Sequence, residues 1–113
     1  MIKLLVLLPL LAVLLAFTPA PAPAPEKSGP EIPADIQALL DRHGCAACHN
    51  MARKLVGPKW TDIAAKKYSA KRIIALIKKP EPANWPGYVP MLAQPTVPKA
   101  DLTKISNWLA GLQ

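Results

Sequence analysis

Apolar residues occupy nearly every position from 4 to 17, interrupted by Pro9, and after that the pattern changes twice. Residues 19–25 alternate Pro and Ala, which favours an extended, polyproline-like spacer. Helical spacing then takes over. Ile36, Leu39 and Leu40 share one face of a predicted helix over 33–43, with Gly44 placed to stop it. Thr61 is placed to cap a short helix reaching Tyr68, and Ser69 to cap another through Ile73, Ile74 and Ile77, which Pro80 ends. Leu102, Ile105, Leu109 and Leu112 recur every three or four residues, so a last helix from about position 98 has one apolar face, with Trp108 at its edge. No useful run of strand alternation is present. The expectation is an all-α fold of about four helices. Residues 80–98 form a proline-rich loop without periodicity, and a loop that long in a small domain is often functional.

The apolar head follows Met1-Ile2-Lys3. As a helix, residues 4–17 would span about 21 Å, short of the roughly 30 Å hydrocarbon core, which favours a signal peptide over a spanning helix. Its cleavage site is poorly defined, because nearly every small residue from 18 to 25 is followed by proline; an uncleaved, tethering anchor is the alternative. The organisation is therefore a signal peptide or anchor over 1–20, a Pro/Ala-rich linker over 21–32 and one domain over 33–113. An exported, periplasmic location is expected, with membrane tethering through the N-terminus as the other outcome.

A domain of this size buries too little apolar surface to be more than marginally stable by itself. Two cysteines, Cys45 and Cys48, cannot make a disulfide framework. The whole chain has 14 Lys and Arg against 7 Asp and Glu; setting Lys3 aside leaves 13 against 7, a net charge of +6. That balance suits an acidic partner. Nucleic acid is the other usual partner of a basic domain, but no nucleic-acid motif is present and the leader points to export.

Cys45-Ala46-Ala47-Cys48-His49 is a C-x-x-C-H motif. Two thiols at this spacing can add to the two vinyl groups of a haem, and the adjoining histidine then reaches the iron from one face. One covalent haem c is the expected cofactor, held through Cys45 and Cys48 with His49 as a metal ligand. A redox dithiol would need a preceding strand and a βαβ setting. Zinc would need ligands from a second element, whereas His43, Cys45, Cys48 and His49 lie within seven residues. His43 is read as a solvent-facing residue near a helix end.

With these residues in view the chain resembles the class I c-type cytochromes, in particular their small bacterial monohaem subgroup. The resemblance runs through Gly44 to His49, Leu55-Val56-Gly57-Pro58, Asp62-Ile63-Ala64-Ala65-Lys66, Trp85, Pro90-Met91 and the closing helix with Trp108. It implies a small cytochrome c fold in which N- and C-terminal helices cross and the rest wraps the haem. It also implies that the Pro58 carbonyl accepts the second imidazole N–H of His49 and that the Trp85 indole reaches a haem propionate. Core packing is the ordinary alternative for Trp85, and Trp60 and Trp108 are read as packing. The second metal ligand is expected to be Met91. Met1 lies in the leader, Met51 is too near His49 to cross to the other face, and Met91 sits in the long loop with a soft thioether.

The sequence departs from the subgroup after Met91, where Leu92-Ala93-Gln94-Pro95 replaces prolines, and at Leu76, where the subgroup often has an arginine facing a propionate. Two axial protein ligands would close the iron to substrates while letting it change oxidation state, so a one-electron carrier is expected and no enzyme. The alternatives are a haem subunit of a membrane-associated oxidoreductase complex and an open-site sensor or peroxidase-like protein. The partners would be redox proteins, with acidic docking surfaces matched to Arg53, Lys54, Lys59, Lys66, Lys67, Lys71, Arg72, Lys78 and Lys79. Nothing in the sequence demands more than a monomer.

Overall fold

The computed structural model describes residues 18–23 and 30–112. The apolar head and residues 24–29 of the linker lie outside the described residues; 18–23 is irregular and exposed. Four α-helices follow: α1 Ala34–Arg42, α2 Trp60–Ala65, α3 Ala70–Lys78 and α4 Lys99–Gly111. Among the described residues there is no strand. Two short 3₁₀ turns, Cys45–Ala47 and Pro82–Asn84, lie in stretches where periodicity shows no element.

Each helix begins and ends for a local reason. The carbonyl of Pro33 accepts the first bond of α1, from Gln37 N–H at 2.8 Å, and Gly44 stops it at φ 71°, a left-handed conformation that costs glycine little. Asp35 in the first turn and Arg42 in the last complement the helix dipole. The short helix α2 differs from expectation at both ends. Lys59, not Thr61, occupies its N-cap, and the Thr61 hydroxyl instead donates to the Met51 carbonyl at 3.2 Å. It stops at Ala65 instead of Tyr68 because Lys66 and Lys67 turn back onto the carbonyls of Ile63 and Ala64, with Lys67 at φ 54°. Ser69 does cap α3, its Oγ accepting from the Arg72 N–H at 3.2 Å. Replacing Ser69 with alanine is expected to cost about 1 kcal/mol, read as a lower denaturant midpoint at unchanged slope.

Helix α4 is the element against which α1, α2 and α3 all pack. Leu102, Ile105 and Leu109 meet Ile36, Leu39, Leu40, Trp60 and Ile73 in the buried core, which also takes in Met51. One polar clasp joins the two ends of the domain. His43, at the end of α1, bonds through Nε2 to Oδ2 of Asp101 in the first turn of α4 at 2.8 Å, with Arg42 at 3.8 Å from the same oxygen. The reading of His43 as solvent-facing is therefore corrected: its side chain is 14 % exposed, because the first turn of α4 covers it. The long loop after α3 is tied back where Gln94 N–H donates to the Ile77 carbonyl at 2.9 Å.

Candidate cofactor site

One face of this core opens into a cavity of about 600 Å³ with mainly apolar walls contributed by every helix except α1 and by the loops at both ends of α3. Cys45, Cys48 and His49 enter it from one side. The left-handed Gly44 turns the chain out of α1, and a tight turn follows in which Cys48 N–H and His49 N–H both donate to the Cys45 carbonyl, at 3.2 and 3.0 Å. Two thiols and an imidazole thus reach the same cavity from five consecutive residues. Both cysteines are free and half-buried, and burial pushes the Cys45 thiol up.

His49 is held from three directions. Its Nδ1–H donates to the Pro58 carbonyl at 2.7 Å, which leaves Nε2 as the nitrogen with the free lone pair. Trp60 stacks on the ring with centroids 4.6 Å apart, and Trp108 meets Trp60 edge-on at 5.7 Å. Gly57 supplies the clearance: a Cβ there would fall 2.5 Å from Cε1 and 2.8 Å from Nδ1 of the imidazole, so only glycine lets the backbone pass this close. Burial pulls the His49 pKa down, and the Pro58 carbonyl opposes that shift without reversing it. The ring is neutral at neutral pH, the form that binds a metal.

The long loop contributes Met91, which lines the same cavity and is 41 % exposed. Met51 lies in the core, 8 % exposed, and takes no part in the lining. Trp85 and Tyr88 come from the same loop and meet edge-to-face at 5.9 Å. All six residues singled out in the sequence, Cys45, Cys48, His49, Pro58, Trp85 and Met91, line this one cavity, as does Leu76. The stacking of Trp60 on His49 and the place of Tyr88 in the wall had no sequence signal, because neither residue sits at a distinctive spacing from the motif. Among the described residues, no three His, Cys, Asp or Glu side chains gather as a metal-holding cluster.

No family model matches the chain. Its fold is similar to that of Nitrosomonas europaea cytochrome c552, with a TM-score of 0.62 and 32 % identity, covering 68 % of this chain and 99 % of that one. In sequence it is 34 % identical over 87 residues to cytochrome c-551 of Allochromatium vinosum, a span covering 74 % of this chain and 90 % of the relative. The chain belongs to the small class I c-type cytochromes. Cytochrome c-552 of Hydrogenobacter thermophilus is another relative, 33 % identical over 82 residues and matched over 81 % of its length. A c-type cytochrome carries its haem c covalently and passes single electrons through it. The cavity of this cytochrome fits that group: its walls are apolar, two free thiols lie at one side, and a clearance only glycine provides is kept beside a neutral imidazole.

Proposed function

We propose that this cytochrome is an exported, periplasmic one-electron shuttle whose haem is bound through Cys45 and Cys48 and ligated by His49 and Met91. The observation that carries the reading is that His49 and Met91 line one cavity, with the imidazole already oriented by Pro58. A haem held by these residues would supply one-electron ferric/ferrous chemistry. The chain's own residues do the rest. The Pro58 carbonyl fixes the tautomer of His49, the Trp60 ring sets its plane, and Met91 offers a neutral sulfur, a ligand type that favours the reduced state. Trp85, which lines the cavity, is read as donating its indole N–H to a propionate.

The reading is of a carrier and not of a catalyst. In this reading His49 and Met91 fill both axial positions, so no open iron site is left for a substrate. Partners of a cytochrome c are redox proteins. Here Val56, Val89 and Leu92, which line the cavity, are 52, 66 and 79 % exposed, an apolar rim amid a basic surface that suits an acidic partner. The apolar head favours export, and no helix among the described residues is long and apolar enough to cross a membrane.

The test is an optical spectrum of the purified ferric protein together with its reaction with an acidic redox partner. A weak far-red band from sulfur-to-iron charge transfer is expected, with no carbon monoxide binding to the ferrous form. The partner reaction should slow steeply as salt rises. Ready carbon monoxide binding without the far-red band would defeat the carrier reading.

A further inference from the structure

We infer that Lys54 and Lys66 are the counter-charges and positioning residues for the acidic edge of the haem, gripping Trp85 and Tyr88 between them. The inference rests on the reading that the haem occupies this cavity.

A haem c brings two carboxylates, and its thioether bonds place them on the half of the macrocycle away from the cysteines. Carboxylates beside an apolar wall need cations or hydrogen-bond donors. The cavity wall contains no lysine or arginine. Its two ionisable side chains other than the cysteines, His49 and the tyrosines are His43, bonded to Asp101, and Glu81, whose Oε2 is 2.6 Å from Arg72 Nη2. Leu76 brings no charge. The compensating charge therefore comes from outside the cavity lining, and two ammonium groups rest on rings of that lining. Lys54 Nζ lies 4.2 Å from the centre of the Tyr88 ring, and Lys66 Nζ lies 4.8 Å from that of Trp85.

These lysines come from different elements. Lys54 belongs to the segment between the attachment turn and α2, and Lys66 follows the last residue of α2. Both rings line the cavity, and they pack on each other at 81°. A cation over each ring of an edge-to-face pair ties this turn to the segments that carry the two lysines. Lys66 adds a hydrogen bond to the Asn84 carbonyl at 3.3 Å, which uses one of its three donors. The Asn84 side chain is in turn fixed by Glu81, at 3.2 Å, and Glu81 by Arg72 on α3. Both lysines are exposed, so the rings and the Asn84 carbonyl fix where their charges sit without taking them out of water.

A fixed cation near the iron disfavours the ferric state, whose net charge is one unit more positive than the ferrous. The experiment measures the midpoint potential of intact haem-loaded protein by spectroelectrochemistry at low and high salt. At the wild-type midpoint, Lys54→Met and Lys66→Met should each raise the ferric-to-ferrous ratio about threefold at low salt, which is about 28 mV at ~59 mV per tenfold. The double variant should give roughly ninefold, since separate sites add. Lys54→Arg and Lys66→Arg should stay near wild type. Lys104→Met, an exposed change of equal charge on α4 and off the cavity wall, is the control and should move the ratio little. Unchanged potentials in both methionine variants, or an equal shift in Lys104→Met, would overturn the inference. Loss of covalent haem or of the far-red band in the wild type would instead overturn the reading beneath it.

Discussion

Met91→Ala is expected to abolish the far-red band of the ferric protein, open the ferrous form to carbon monoxide and lower the midpoint potential. The fall should be on the order of 0.2 V, a quarter of the ~0.8 V that axial ligation spans in haem proteins. Folding should suffer much less. Met91 is 41 % exposed and lies in the loop outside the buried core, so its removal leaves little cavity to collapse. This separation of effects makes the variant decisive. Met51→Ala is the comparison, because Met51 is a core residue at 8 % exposure and absent from the cavity wall. It should cost about 2 to 5 kcal/mol of stability and leave the far-red band in place. The reverse assignment of effects would transfer the ligand role from one methionine to the other.

The second large effect is expected from replacing both Cys45 and Cys48 with serine. The haem of the variant should be wholly extractable by acidified acetone, whereas that of the wild type should stay with the protein. Stability should also change in kind. A covalent group stabilises the domain whatever the concentration of free haem. A dissociable one contributes according to its occupancy, about 2.7 kcal/mol when free ligand is at a hundred times Kd. The melting temperature of the double variant should therefore rise with added haem, and that of the wild type should not. A haem that cannot be extracted from the variant would locate the covalent link elsewhere.

How far the sequence reveals this molecule depends on which interactions are local. Spacing alone showed the four helices, and the bounds of α1, α3 and α4 follow from caps, prolines and a glycine adjacent in the chain. Expectation diverged at α2 because the Thr61 hydroxyl had a competitor for its bonding, the Met51 carbonyl ten residues away. His43 was misread for a related reason. Its partner Asp101 is 58 residues distant, and no periodicity connects an acid in one helix to an imidazole at the end of another. The two 3₁₀ turns are too short to leave a pattern. In the site, Cys45, Cys48 and His49 were legible because attachment chemistry demands contiguous residues. Trp85 and Met91 were legible through resemblance, and the elimination of Met1 and Met51 supported Met91. Trp60, Tyr88, Lys54 and Lys66 act through rings and charges gathered by folding, and such groupings have no signature in one dimension.

The packing of α1, α2 and α3 all against α4 makes the docking of that one helix the step that closes the domain. Without Ile105 and Leu109, Leu39, Leu40, Trp60 and Ile73 lose a face to bury against. Asp101, in the first turn of the same helix, completes the clasp with His43. Ile105 and Leu109 also line the cavity that Cys45, Cys48 and His49 enter, so loosening α4 would open the attachment site as well as the core.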